Sequence, residues 1–220
     1  MIQRIILSVD DSPAYLQFWP MVATAWRRVL AIEPELAHVT ATPDESMSRW
    51  GSVHAMEPVD GMPSCNQAKI SRLILASMFP DEICMLSDID MLPLSPGAFI
   101  HLGRVARDND GKIACFGADA FAHVDTDKHQ DHGIVPICYL AARGHIFGDM
   151  LDSVPMDTLR TWTHLKANPY ESPFSDEAML RHMGIADLII GGARGWRDGI
   201  AAGRIDRDVI TSAIDMHMPR

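Results

Sequence analysis

Cysteine is scarce in this chain, and its spacing fits none of the common metal or redox motifs. The four thiols are Cys65, Cys84, Cys115 and Cys138, and no two of them form a C-x-x-C pair. Three sit in strand-like apolar runs, where cysteine behaves as a small buried apolar residue. A reducing, cytoplasmic compartment is the expectation. Basic residues are also few: 19 Lys and Arg stand against 29 Asp and Glu, leaving a net charge of −10. That argues against a phosphate-neutralising surface, so no nucleic-acid partner is expected. No apolar run approaches the roughly 20 residues that span a bilayer. The N-terminal M-I-Q-R-I-I-L-S-V-D-D has an apolar stretch too short for a signal peptide and ends in acids. No internal repeat, low-complexity tract or linker interrupts the 220 residues, which read as one domain, 1–220.

What is present is an ordinary globular composition, 47% hydrophobic and 22% charged. Ile5 to Val9 reads as a buried strand that stops at Asp10-Asp11-Ser12-Pro13. The periodicity predicts a helix from Tyr15 to Leu30 with Phe18, Val22, Trp26 and Val29 on one face. Leu36 to Ala41 reads as a strand, and Thr42 to Ser64 as a long irregular loop. Asn66 to Met78 is a predicted helix with Ile70, Leu73, Ile74 and Ser77 inward and Lys69 and Arg72 paired at i, i+3. Pro96 to Arg107 follows as a helix, then strands at Lys112 to Gly117 and Ile134 to Ala142, the latter closed by Arg143-Gly144. Helices are expected at Met156 to Ala167 and Ser175 to Met183, and a strand at Ala186 to Ile190. The early βαβ alternation implies an α/β fold, a mainly parallel sheet with helices on both faces. Ligands in such folds bind beyond the carboxyl ends of the strands.

The segment I-C-M-L-S-D-I-D-M-L-P, Ile83 to Pro93, carries the sharpest chemical signal. Asp88/Asp90, Asp108/Asp110, Asp125/Asp127 and Asp206/Asp208 all have the spacing Asp-x-Asp, but only the first follows a buried-strand run. The second lies in a turn composition, D-N-D-G-K. Carboxylates at the end of a buried strand need a partner, because unpaired buried charge is expensive. A divalent cation is one, since Mg²⁺ and Mn²⁺ take oxygen ligands and are often held by one or two carboxylates plus a substrate's phosphates. Alternation would put both aspartates on one side if the strand continued.

N-Q-A-K-I-S-R-L-I-L-A-S, followed by I-C-M-L-S-D-I-D-M-L-P-L, resembles the metal-dependent nucleotide-sugar glycosyltransferases of the GT-A fold, in particular the small glycosyltransferase domain of chlorella viruses. The resemblance extends in order to S-D-E at Ser175 to Glu177 and to the terminal D-M-H. It implies a single GT-A, Rossmann-like domain that transfers a sugar from a nucleoside-diphosphate sugar, UDP-sugar by expectation, to a glycan or other hydroxyl acceptor. It further implies Mn²⁺ or Mg²⁺ on Asp90 and His217, with Asp88 sharing the metal or contacting the ribose. Ser8 and Asp10 would hold the nucleoside, and Lys69 and Arg72 would face the diphosphate. Asp176 and Glu177 would lie on the acceptor side, with Asp176 taking the acceptor proton in an inverting enzyme. The same S-D-E ahead of an apolar run also has the composition of a helix N-cap.

Two other readings compete. A haloacid-dehalogenase-type phosphohydrolase also ends an apolar strand in D-x-D, but its motif continues into Gly-Thr, whereas Met91-Leu92-Pro93 follows here. A non-catalytic nucleotide-sugar-binding domain would share the site without the turnover. Elsewhere, His123, His129 and His132 match no structural zinc spacing. Trp50, in the long loop, is the tryptophan best placed to meet a sugar. Gly191-Gly192-Ala193-Arg194-Gly195 lacks the Walker lysine and the dinucleotide spacing, so it reads as a turn.

Overall fold

The computed structural model describes residues 1–116, 138–153, 188–190 and 215–217. Strand β1 (Arg4–Asp10) is a continuous apolar run because both its faces are covered: Ile5, Ile6 and Leu7 are fully buried. The expected helix from Tyr15 to Leu30 is two helices, α1 (Pro13–Leu16) and α2 (Trp19–Leu30). Pro20 explains the break, since its ring would clash with the Leu16 carbonyl in one continuous helix; it sits instead in the first turn of α2, where no N–H is needed. Phe18, Val22 and Trp26 are buried as expected, and Val29 is half-buried. The helix stops at Ala31, which takes the left-handed conformation (φ 57°) and donates its N–H to the Arg27 carbonyl.

Strand β2 (Glu35–Val39) follows. The segment expected to be an irregular loop contains a 3₁₀ helix (Glu45–Arg49) and a further strand, β3 (Ser52–Met56). Then come α3 (Ser64–Ser77), β4 (Ile83–Ser87), β5 (Met91–Pro93), α4 (Pro96–Asp108) and β6 (Ala114–Phe116). Between α4 and β6 the D-N-D-G-K segment is a turn, as its composition predicts, with Gly111 at φ 86°. After β7 (Tyr139–Arg143), Gly144 does not close the strand into a loop but opens α5 (Gly144–Ser153). The last described strands are β8 (Leu188–Ile190) and β9 (Asp215–His217). The helices expected at Met156 to Ala167 and Ser175 to Met183 lie outside the described residues.

Among the described residues, seven strands form one sheet in the order β3-β2-β1-β4-β7-β6-β8. Pairing is parallel throughout except at β7, which runs antiparallel to both β4 and β6. The chain moves from β1 outward to β2 and β3, then returns to place β4 on the other side of β1. That reversal is a topological switch point, and the crevice it opens lies at the carboxyl ends of β1 and β4. A second, two-stranded ribbon pairs β5 with β9.

The core has two layers divided by the sheet. Ile5, Leu7 and Val9 face α2 and α4, while Ile6 and Ala37 face α3 and α5. On the first side Trp26, Phe99 and Tyr139 meet edge to face, with centroids 4.8 Å apart for Trp26–Phe99 and 5.0 Å for Phe99–Tyr139. Such pairs contribute about 0.5–1.5 kcal/mol each beyond their buried area. Burial pushes the Cys84 thiol up to about 12 and that of Cys115 to about 11, so both are unreactive core residues. Cys138 is buried too, and Cys65 on α3 is exposed.

At the amino ends of the strands a charged cluster ties three strands to the turn before β4. Arg4 donates to Glu82 through Nε (2.8 Å) and a second nitrogen (3.0 Å), and to Glu35 (2.7 Å), whose other oxygen meets His54 at 2.8 Å. Glu35 is 4% exposed, so its charge depends on these partners. The hydrogen bonds from Arg4 hold the Glu82 carboxyl below the usual glutamate range. A carboxyl lowered by folding stabilises the fold above its unfolded value, about 4.3, and that contribution is lost as pH falls through the lower folded value. Between about pH 5 and about pH 3 the wild type is therefore expected to lose more thermal stability than Glu82→Gln. Parallel melting curves for the two proteins across that range would contradict the assignment.

Candidate functional site

The two switch-point strands deliver their carboxylates by different local devices. Counting on from the paired residues Ile6 and Leu86, two steps along each strand lead to Ser8 on β1 and Asp88 after β4. Ser8 is half-buried and pairs with Ala37 of β2. Asp10 ends β1 and turns back on itself: one carboxylate oxygen accepts the Ser12 N–H (3.1 Å) and the other the Ser64 hydroxyl (2.8 Å). The start of α3 is thereby fastened to the end of β1.

The D-x-D segment is a tight turn and does not extend β4, so the alternation that would put both aspartates on one side does not apply. Met91 N–H donates to the Asp88 carbonyl at 3.2 Å, closing a four-residue turn from Asp88 to Met91. Ile89, 5% exposed, pins the turn into the core on the α2 side. The carboxylates consequently differ. Asp90 is 4% exposed, whereas the Asp88 side chain is 38% exposed and accepts a 2.6 Å hydrogen bond from the Arg72 guanidinium.

Arg72 comes from α3, and its burial overturns the expected phase of that helix. The inner side is Ala68, Ser71, Arg72, Leu75 and Ala76 with Leu73, while Ile74 is 42% exposed. The guanidinium can be buried because Asp88 supplies the opposing charge. Lys69, one turn earlier, is half-buried.

The tail reaches the same place by backbone pairing. In the β5–β9 ribbon Met91 is registered against His217, Leu92 against Met216 and Pro93 against Asp215. Directly opposed residues of an antiparallel pair have Cα atoms about 4.5–5.5 Å apart. Asp90 is one step of about 3.8 Å from Met91, which brings the Cα atoms of Asp90 and His217 within about 9 Å. Among the described residues no three His, Cys, Asp or Glu side chains gather closely enough to hold a metal. Asp88 and Asp90 lie on the turn, and the backbone of His217 lies on the strand paired with Met91. Carboxylate oxygens with one imidazole suit Mn²⁺ or Mg²⁺ better than a thiophilic metal.

Other expectations fare differently. Asp176, Glu177 and the histidines of the acidic loop lie outside the described residues. Trp50 does not face the crevice. It precedes β3 at the opposite end of the sheet, where Ser52 N–H donates to the Pro34 carbonyl, and its ring lies 4.8 Å from the Arg49 guanidinium. Parallel strands require a crossover that returns the chain to the far end, and Trp50 lies on that return. Two anchors escaped the sequence reading: Ser64 beneath Asp10, and buried His38, whose Nε2 lies 2.9 Å from Asp11. No pattern of spacing marks either one.

No family model and no curated protein matches the chain. Solved structures do match. The glycosyltransferase GlyE of Streptococcus pneumoniae TIGR4 superposes with a TM-score of 0.61 at 12% identity, over 100% of this chain and 55% of that one. The chain thus spans just over half of that protein's length. The galactosyltransferase LgtC, solved with donor and acceptor sugar analogues, gives 0.54 at 13% identity, over 99% of this chain and 84% of that one. A CMP-2-keto-3-deoxy-manno-octonic acid synthetase bound to CTP gives 0.53 at 13%, over 93% and 97%. The fold is GT-A-like and Rossmann-type. Within the described residues of this fold, no helix is long and apolar enough to cross a membrane.

Proposed function

We propose that this chain is a glycosyltransferase that moves a sugar from a nucleoside-diphosphate sugar, UDP-sugar in the first instance, to a glycan or other hydroxyl acceptor. A divalent cation, Mn²⁺ or Mg²⁺, would be held by Asp90 and His217 with Asp88 sharing it or contacting the ribose. The observation that carries the reading is the junction of three remote segments at the switch point: the end of β1, the D-x-D turn, and the β9 backbone opposite Met91. The cation would stabilise the departing diphosphate as a Lewis acid and orient the donor. The residues then have separate tasks. Ser8 and Asp10 hold the nucleoside, and Lys69 offsets phosphate charge. Arg72 fixes the Asp88 carboxylate. Asp176, with Glu177, serves the acceptor, with Asp176 as the base of an inverting reaction.

The 2.6 Å ion pair also weighs against the phosphohydrolase alternative. A carboxylate bound to a buried guanidinium is a poor nucleophile, because its negative charge is already engaged. Calorimetry with UDP, with and without Mn²⁺, combined with donor hydrolysis in the absence of acceptor, tests the proposal. Metal-dependent UDP binding with slow donor turnover is expected. Robust hydrolysis of a generic phosphate ester would overturn it, and UDP binding without any transfer or donor hydrolysis would reduce it to a binding domain.

His217→Ala is expected to weaken Mn²⁺-dependent UDP binding about tenfold, near 1.4 kcal/mol, since the carboxylates remain. Unchanged affinity in that variant would remove His217 from the ligand set.

A further inference from the structure

We infer that His38 is a positioning residue for the donor, acting through Asp11, and this rests on the transferase reading above. His38 occupies the carboxyl-terminal half of β2, in register with Val9 of β1. Its side chain is 3% exposed, and its Nε2 lies 2.9 Å from the Asp11 carboxylate, which is 57% exposed. A carboxylate only accepts, so Nε2 carries the proton in this contact. Stability does not account for the arrangement. A contact whose partner is 57% exposed is worth about 0–1 kcal/mol, and an apolar side chain would fill a buried strand position at less desolvation cost. What the imidazole does is hold the first residue of the loop that leaves β1.

That loop is gripped from both faces of the sheet. Asp10 shares the face of Ile6 and is anchored to Ser64 of α3. His38 alternates with Ala37 and so lies on the other face, with Leu36, and it anchors Asp11 there. Consecutive carboxylates are thus tied in opposite directions at the mouth of the switch-point crevice. With both ties made, Asp10 and the Ser12 N–H it accepts are fixed before any nucleoside arrives. With the His38 tie cut, the loop loses its anchor on that face and the nucleoside must order it on binding, at the expense of affinity.

The test is a double-mutant cycle on the full chain, His38→Phe with Asp11→Ala, read by calorimetry with UDP, GDP and CDP in Mn²⁺. Amide hydrogen exchange of residues 10–16 without ligand is measured alongside. Each single variant is expected to weaken the best-bound nucleotide about three- to fivefold, and the double variant no further, because both cut one contact. Donor KM rises with kcat nearly unchanged, as for lost ground-state positioning. His38→Gln, whose amide nitrogen can replace Nε2, restores affinity. The loop amides exchange faster in His38→Phe and Asp11→Ala. Asp11→Ala changes an exposed residue and keeps the test valid if His38→Phe misfolds. Wild-type affinity in the variants, or losses that add in the double variant, would overturn the positioning role and leave the transferase reading standing. A wild type that binds none of the three nucleotides would overturn both.

Discussion

Asp90→Asn is expected to abolish the metal dependence of UDP binding, lowering affinity in Mn²⁺ by more than about a hundredfold while leaving the melting temperature near that of wild type. The size follows from position. Asp90 is 4% exposed and ends a turn whose other carboxylate, Asp88, is already neutralised by Arg72 at 2.6 Å. Asp90→Asn thus removes the charge of the more deeply buried of the two carboxylates in the proposed metal site. Loss of groups that merely orient metal ligands costs about 10–100-fold, and loss of a charged carboxylate ligand should exceed that, whereas loss of a neutral imidazole with both carboxylates kept costs less. Asparagine keeps the shape and much of the hydrogen bonding of aspartate, which separates metal loss from misfolding. Calorimetry with UDP, with and without Mn²⁺, on both proteins is the measurement. Equal metal-dependent affinity in the variant would sink the assignment.

The parts of this site that were legible in the sequence are those written in local pattern. Strand β1 was expected at Ile5 to Val9 and runs from Arg4 to Asp10, and α4 was expected to start at Pro96 and does. A strand buried on both faces must be a continuous apolar run, and proline at the first helical position marks its own helix start. Asp10 and Asp88 follow directly from the ends of such runs. Strand β3 was not legible because S-V-H-A-M is a half-buried edge strand, whose sequence need not be apolar. The phase of α3 was misread for a related reason. Charged residues are expected outside, so Ile74 was placed inward, but Arg72 takes the inner position because Asp88 is there to meet it. The rule fails at the residues that build the site. The chain's long-range contacts were not legible: no periodicity joins His217 to Met91 or Ser64 to Asp10.

The largest expected effect on stability comes from a residue at the end of β4 opposite the D-x-D turn. Gly144→Val should destabilise the protein by at least about 3 kcal/mol, a drop of roughly 6–12 °C in Tm for a chain of this size. A Cβ on Gly144 would collide with the backbone carbonyls of Ala76 and Phe79 and lie 2.6 Å from the Phe79 carbonyl carbon. Backbone cannot move aside as a flexible side chain can. The approach is fixed from the other direction as well, since Gly144 N–H donates to the Glu82 carbonyl at 3.0 Å and His145 N–H to that of Pro80 at 3.1 Å. Gly144 is therefore where α5 enters against the end of α3, and one turn later a Cβ on Gly148 would come 3.4 Å from the Ser77 Cβ. Gly97 provides the opposite control. A Cβ there meets nothing within 4 Å, so Gly97→Ala should stabilise α4 by about 0.5–1 kcal/mol. Because α3 carries Ser64 and Arg72, forcing α5 away from it should also loosen the Arg72–Asp88 ion pair. Thermal melts and UDP affinity should then fall together in Gly144→Val and neither in Gly97→Ala. A Gly144→Val protein that melts with wild type would show that the helices can separate freely, and that the contact between α3 and α5 does not fix the arginine beneath the site.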